Sequence, residues 1–387
     1  LKRTFGNPGS IHSFGQEAIS LLDQARQNFS KTLGVGFRDV IFTASATEAN
    51  NLAVRGIAEE YRKTNPTGGR VIISAIEHDS VGIPARALSH MGFEVIEIKP
   101  NKQGVISVSD VAASLTSDTI LVSVMLGNNE IGTLQPLPKI SSLIREFKSS
   151  QSLTKGPKQN QKAACRWPLL HSDASQCLQF MDCSPQATGA DLITLSSQKI
   201  YGPKGAGALI LPEKFRGLIS PLITGGHQEW GLRAGTENVP TIAGFSAALS
   251  YVYTDREKEA IHIAKLRHQL WFGIKKIFPR ALINGIPPVS KTQLANGDSL
   301  PHILNIRFPG IPSDELITAL DMQGVAVSAG AACAMRSPDP SSTLLAMGLS
   351  EQVAKESIRF SLGRPTTEQE IPATIRILQS SLKKLAN

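Results

Sequence analysis

Long apolar runs are missing from this 387-residue chain: no stretch of eighteen or more hydrophobic residues occurs, so no segment is long enough to cross a bilayer as a helix. The opening residues, Leu1-Lys-Arg-Thr-Phe-Gly-Asn7, lack the apolar core of a secretory signal. Cysteine is scarce as well. Cys165, Cys177, Cys183 and Cys333 form neither a CxxC pair nor a Cys/His spacing of the zinc type, which excludes a disulfide framework and a structural metal and fits a reducing compartment. No internal repeat and no low-complexity block stands out. Together these absences lead us to expect a cytoplasmic protein without a membrane attachment.

What is present is the composition of a globular protein, with 41% hydrophobic and 19% charged residues. The chain is too long for one ordinary core, so two domains are expected. The formal charge of +8 favours an acidic partner, but much of it is local. Arg145, Lys148, Lys155, Lys158, Lys162 and Arg166 cluster around one polar stretch. No direct nucleic-acid contact is expected from it.

Ile19, Leu22, Ala25, Phe29 and Leu33 recur at helical spacing, and Asp39 to Thr43 then reads as a short buried strand. Strand-like runs follow at 70–75, 93–98, 119–125, 168–172 and 191–196, interleaved with helical patterns near Ala46, at 81–90 and at 137–147. This alternation predicts an α/β domain on a mostly parallel sheet, spanning residues 1–251. Between about 148 and 167 lies a basic Ser/Gln/Lys-rich stretch without apolar periodicity, read as an exposed insertion. A long helical pattern covers about 239–278; strands at 302–308 and 357–362 and helices at 313–322 and 367–384 then predict a smaller α+β domain over 252–387.

The chemistry concentrates at strand ends. Leu192-Ile-Thr-Leu-Ser-Ser-Gln-Lys199 delivers one amine to the mouth of the glycine-rich turn Tyr201 to Gly207, and Leu169-Leu-His-Ser-Asp173 ends on a carboxylate. Pyridoxal phosphate needs both groups, a lysine for its aldehyde and an acid for its pyridinium nitrogen. Its phosphate needs N–H groups at a helix start. The strand-to-helix turn Phe42-Thr-Ala-Ser-Ala-Thr-Glu48 offers these at Ala46 and Thr47. His78, after a further strand, is placed to stack on the cofactor ring.

In order along the chain come Thr43-Ala-Ser-Ala-Thr-Glu-Ala-Asn-Asn51, Glu77-His78, Asn128-Asn-Glu-Ile-Gly132, His171-Ser-Asp-Ala-Ser-Gln176, Ser196-Ser-Gln-Lys199, Arg233-Ala-Gly-Thr-Glu-Asn238, Ser328-Ala-Gly-Ala-Ala-Cys333 and Ile358-Arg-Phe-Ser-Leu-Gly-Arg364. Over nearly the whole chain this series resembles the cysteine desulfurases of the NifS/IscS type, in the class V aminotransferase family. The resemblance implies a fold type I pyridoxal 5'-phosphate transferase, with a large cofactor-binding domain and a smaller C-terminal one. It implies a homodimer that takes sulfur from L-cysteine, leaves L-alanine, and passes the sulfur to an acceptor protein such as an iron–sulfur scaffold or a tRNA-thiolation enzyme. By the same resemblance, Lys199 holds the cofactor covalently, Asp173 pairs with its ring nitrogen, His78 stacks on the ring and Gln176 meets the phenolic oxygen. Ala46, Thr47 and Ser196 bind phosphate, with Thr236 reaching it from the neighbouring subunit. Asn129 and Arg359 grip the substrate carboxylate, and Cys333 receives the sulfur as a persulfide.

Three departures accompany the match. Gln198 stands where the family often has histidine, so its phosphate contact would be a neutral amide hydrogen bond. An opening segment of the Asp-Asn-Ala-Ala-Thr type is not found, which bears on closure of the substrate pocket. The basic stretch at about 148–167 exceeds the family connection and is read as a contact for an acidic acceptor or a tRNA-modifying partner. The run Ala334-Met-Arg-Ser-Pro-Asp-Pro-Ser341 is too polar and proline-rich for a regular element and reads as a surface loop. Cys165, Cys177 and Cys183 are read as structural. Three other activities use parts of this residue set: a selenocysteine lyase, an aminotransferase, which would have no need of Cys333, and a catalytically silent sulfur-transfer scaffold.

Overall fold

The computed structural model describes residues 4–154, 167–288, 298–330 and 340–385. The chain forms two compact units: residues 1–98, 108–126 and 136–255 make the first, and 99–107, 127–135 and 256–387 the second.

The first unit is built on a seven-stranded sheet of β1 (Val40–Thr43), β2 (Arg70–Ser74), β3 (Glu94–Ile98), β4 (Thr119–Ser123), β5 (Leu169–Asp173), β6 (Leu192–Ser196) and β7 (Gly207–Ile210), in the order β1-β7-β6-β5-β4-β2-β3. The run from β3 to β6 is parallel, while β7 is antiparallel to both β6 and β1. Strands β1, β4, β5, β6 and β7 are buried at every residue. That is why they read as continuous apolar runs rather than as alternation.

Helices α1 (Ser13–Leu33), α2 (Ala46–Arg62), α3 (Asp79–Ala87), α4 (Val108–Ser114), α5 (Leu137–Thr154) and α6 (Val239–Thr254) belong to this unit. In α1 the buried stripe Ala18, Leu22, Ala25, Phe29 and Leu33 follows the helical period, and Phe29 meets Phe245 of α6 with ring centroids 4.7 Å apart. Gly34 ends α1 in the left-handed region at φ 63°, where a β-carbon would be strained.

The second unit carries a three-stranded antiparallel sheet, β8 (Leu282–Asn284), β9 (Ile303–Arg307) and β10 (Ser357–Ser361), with β9 central. Its helices are α7 (Arg256–Ile277), α8 (Ser313–Asp321), the short α9 (Ser342–Ala346) and α10 (Glu351–Ala354), and α11 (Glu370–Leu385). Ile131 packs with Leu344, Met347 and Ala354 in a small apolar cluster of this unit.

The structure corrects the sequence reading at three places. The pattern at 239–278 is two helices, because Asp255 leaves helical geometry at φ −116° and ψ 15°; there the chain passes from one unit to the other, so each half turns its apolar stripe to its own core. Residues 148–154 are helical and Lys148 pairs with Asp191 at 3.7 Å, so the insertion read from 148 begins later; Lys155, Lys158, Lys162 and Arg166 lie outside the described residues. Strands β7 and β8 are missed by the sequence reading: β8 has only three residues, and the four of β7 open on Gly207 directly after a glycine-rich turn.

Candidate active site

Asp173 ends β5 and is buried, 7% exposed. Its Oδ2 accepts from Asn50 Nδ2 at 2.7 Å and its Oδ1 from the Ser175 N–H at 2.9 Å. Both donors are neutral, and among the described residues no lysine or arginine forms an ion pair with this carboxylate. The same Asn50 amide donates to Ser80 Oγ at 2.8 Å, and the Ser80 N–H and hydroxyl lie 3.0 and 2.8 Å from His78 Nδ1. Because the backbone N–H of Ser80 must donate, Nδ1 accepts and the half-buried ring is held by α3, which His78 caps. Asp173 and His78 are thus the two ends of one chain of hydrogen bonds. Asn50 and Ser80, its middle, were not read from the sequence. The available signal was a polar residue, Asn50, on the apolar face of α2.

Lys199 is exposed on the short helical turn Ser197–Ile200 that follows β6. Strands β5 and β6 are hydrogen-bonded neighbours, with Asp173 opposite Thr194, so acid and amine leave the same edge of the sheet, where ligands of open α/β sheets bind. Tyr201 closes the lysine turn in the left-handed region at φ 66°, and its hydroxyl accepts from Gln179 Nε2 at 2.6 Å. Ser196 is buried and paired with Gly207 of β7. A β-carbon on Gly207 would lie 2.4 Å from the Ser45 carbonyl carbon and 2.6 Å from the Ala46 nitrogen. Glycine therefore lets the start of α2 sit against the ends of β6 and β7, gathering Ala46, Thr47 and Ser196 into one place. The first-turn N–H groups of an α-helix have no intrahelical acceptor, which suits an anion. Ser45 caps α2 by accepting from the Glu48 N–H at 3.1 Å.

Gln176 is half-buried in the turn after β5, and Gln198 is exposed beside Lys199. Thr236 is exposed on the loop whose Arg233 pairs with Glu48 of α2 at 2.9 Å. Cys177 and Cys183 are buried free thiols, and burial pushes the Cys177 thiol up, away from the reactive thiolate. Cys165 lies outside the described residues.

Two buried titratable groups flank Asp173. His171 shares its face of β5, two residues earlier, with Nδ1 2.8 Å from Ser123 Oγ and Nε2 3.0 Å from Thr194 Oγ1. Burial lowers it to about 4, so the ring is neutral at pH 7 and does not draw the Asp173 carboxylate away from a ligand. Glu77 is raised to about 8, first by burial, against the hydrogen bonds from Ser74 Oγ and the Met125 N–H. Both of those donors go to Oε1, which leaves Oε2 to carry the proton.

The sign of each linkage is opposite. His171 contributes stability that is complete above pH 6.5 and is lost as pH falls towards 4. Glu77, protonated when folded, contributes stability below pH 4.5 that is lost as pH rises through 8. Glu77→Gln is therefore expected to flatten the alkaline side: the stability of wild type relative to the variant should drop by up to about 1.4 kcal/mol per pH unit between pH 5 and 7.5. Denaturant unfolding of both proteins at the two pH values checks this, and parallel pH dependences would refute it.

In the second unit Asn128 Oδ1 accepts from the N–H groups of Glu130 and Ile131 at 2.8 and 3.0 Å, forming a tight turn. Asn129 and Arg359, both half-buried, are brought together in this unit: Arg359 Nη1 donates to the Asn129 carbonyl at 2.8 Å. Arg359 also pairs with Ser328 through the backbone. Cys333 lies outside the described residues.

An Aminotransferase class-V family model matches residues 1–155 and 157–373. The chain belongs to the class V aminotransferase family. It is 36% identical over 381 residues to cysteine desulfurase IscS 1 of Archaeoglobus fulgidus, covering 98% of this chain and 91% of that one. It is 38% identical over 386 residues to cysteine desulfurase IscS of Salmonella paratyphi C, covering 100% and 87%. A solved NifS-like protein superimposes with a TM-score of 0.84 at 31% identity, covering 99% of this chain and 93% of that one.

The cofactor of this class V protein is pyridoxal phosphate, and the residues fit it. A buried carboxylate with neutral donors alone accommodates a pyridinium N–H, and Asn50 Oδ1 and Ser197 Oγ are buried without a partner among the described residues.

Proposed function

We propose that this chain is a cysteine desulfurase: it removes sulfur from L-cysteine, releases L-alanine, and holds the sulfur as a persulfide on Cys333 for an acceptor protein. The observation that carries the reading is the placement of Asp173 and Lys199 at the same ends of adjacent parallel strands, β5 and β6.

When bound, pyridoxal phosphate withdraws electrons from the reacting carbon of the substrate. The residues of the chain do the rest. Lys199 would hold the cofactor covalently, and its amine, when free, would take the proton from the substrate Cα and return one. Asp173 would keep a proton on the ring nitrogen, and His78, oriented by Ser80, would cover the ring face. Ala46, Thr47 and Ser196 hold the phosphate, Gln198 adds an amide contact, and Gln176 meets the phenolic oxygen. Asn129 and Arg359 orient the substrate carboxylate, for which a guanidinium fork is suited. The Cys333 thiolate then forms an S–S bond to the substrate sulfur as the Cβ–S bond breaks. The electron pair of that bond stays with Cβ, which takes up a proton to become the alanine methyl.

Thr236, exposed on its loop, would reach the phosphate of a neighbouring subunit, which makes a homodimer part of the working enzyme. Acceptors would be an iron–sulfur scaffold or a tRNA-thiolation enzyme, in the cytoplasm. Among the described residues no helix is long and apolar enough to cross a membrane.

Incubating the cofactor-loaded protein with L-cysteine and mapping added sulfur by mass spectrometry tests substrate, reaction and nucleophile together. The expected result is one extra sulfur on Cys333 and an equivalent of alanine. Full sulfur transfer by Cys333→Ser would defeat the reading.

A further inference from the structure

Glu130 belongs to the Asn128-Asn-Glu-Ile-Gly132 motif but has no part in the reaction as described. It is buried, 4% exposed, and its backbone is held on three sides. Asn128 Oδ1 accepts from its N–H at 2.8 Å, Asn305 Nδ2 donates to its carbonyl at 3.2 Å, and the preceding carbonyl, of Asn129, takes the Arg359 guanidinium at 2.8 Å. A side chain on so fixed a turn is itself fixed in place.

Its carboxylate faces both ends of the segment that carries Cys333. On the far side, the Ser341 hydroxyl donates to Oε2 and the Thr343 hydroxyl to Oε1 at 3.1 Å. Ser341 also caps α9, accepting from the Leu344 N–H at 3.2 Å, so its hydroxyl donates to Glu130 while it accepts from the helix, and the helix start is tied to Glu130. On the near side, Gly330 adopts φ 66°, and a β-carbon there would lie 3.2 Å from Glu130 Oε2 and 3.3 Å from Ser341 Cβ. Gly330 and Ser341, on either side of 331–339, therefore lie side by side next to this carboxylate, which is hydrogen-bonded on the Ser341 side. Two residues before Gly330, Ser328 is bonded in both backbone directions to Arg359, at 3.2 and 2.6 Å. One turn thus fastens the base of this segment and, through Arg359, a residue assigned to the substrate carboxylate.

We propose that Glu130 is a positioning residue for sulfur transfer, whose carboxylate ties the far end of the Cys333 segment, at Ser341 and Thr343, beside its near end at Gly330. The inference rests on the desulfurase reading and on Cys333 as nucleophile; the segment 331–339 lies outside the described residues, and the tie concerns only its ends. A carboxyl side chain is suited to the task because its two oxygens each take a hydrogen bond from one hydroxyl. A rigid base narrows the positions open to the thiol, and proximity of this kind governs the rate of a bond-forming step more than the affinity for substrate.

The test uses the cofactor-loaded protein and L-cysteine in single turnovers, with two readouts: the rate at which sulfur appears on Cys333 by mass spectrometry, and the visible absorption of the bound cofactor during a titration with L-cysteine. Glu130→Gln is expected to slow labelling of Cys333 about tenfold or more, with absorption and half-saturating L-cysteine within about twofold of wild type. Ser341→Ala, which removes one donor and leaves Thr343 in place, should shift the same readout in the same direction and guards against a variant that fails to fold. Labelling at the wild-type rate in both variants overturns the inference, as does a loss of labelling that only tracks loss of bound cofactor. Absence of sulfur on Cys333 in the wild type overturns the desulfurase reading itself and this inference with it.

Discussion

Replacing Lys199 by alanine is expected to lower alanine release from L-cysteine by about three orders of magnitude or more, the upper range for removal of a general base together with a covalent anchor. The residue is exposed on a turn whose geometry is set elsewhere, by Tyr201 in the left-handed region and its hydrogen bond from Gln179. The loss should therefore be chemical rather than structural. Unfolding by denaturant should be unchanged within about 0.5 kcal/mol, as for other exposed substitutions. The second readout is covalent attachment. Borohydride should fix the cofactor to the wild-type chain at the peptide containing Lys199, and should fix nothing to Lys199→Ala. Cofactor fixed elsewhere on the wild-type chain, or turnover retained in the variant, would remove the basis of the mechanism.

The second large effect is expected at Asp173. Asp173→Asn removes the carboxylate that keeps a proton on the ring nitrogen, and truncating one member of a buried charged pair costs several kcal/mol, so alanine release should fall about 100-fold or more. The structure also indicates why the variant should still fold. An amide at 173 has one acceptor where the carboxylate has two, so its NH2 group meets either the Asn50 amide or the Ser175 N–H. Asn50 can turn its Oδ1, which has no partner among the described residues, to accept from it. That rotation disrupts the Asn50 donation to Ser80 and hence the support of His78. The absorption spectrum of the bound cofactor should shift as its ring nitrogen loses the proton. Wild-type rates with a wild-type spectrum in Asp173→Asn would contradict the assignment of this carboxylate.

Much of the first unit was legible because its strands are buried on both faces and its helices carry one apolar stripe, so period and composition agree. Strands β1 to β6 fall within two residues of where the sequence places them. What escaped reading had a physical cause. Strand β8 has only three residues, β7 opens on glycine after a glycine-rich turn, and the break at Asp255 interrupts two helices of similar period without glycine or proline. At the site, Lys199, Asp173 and His78 stand at strand ends, where a single polar group after an apolar run is conspicuous. Asn50 and Ser80 are not conspicuous: each is one polar residue inside a regular element, and only the packing of α2 and α3 against the sheet makes them partners.

By itself the sequence determined the periodicities, hence the alternating elements of the sheet, and the order of motifs that places the chain in its family. These are properties of neighbours along the chain. Tertiary structure alone decided that residues 127–135 join the second unit, that Asp173 and His78 are linked through Asn50 and Ser80, and that Gly330 and Ser341 lie side by side next to Glu130. Such contacts depend on close packing between residues 30 to 211 positions apart, a distance over which no local pattern in the chain carries information.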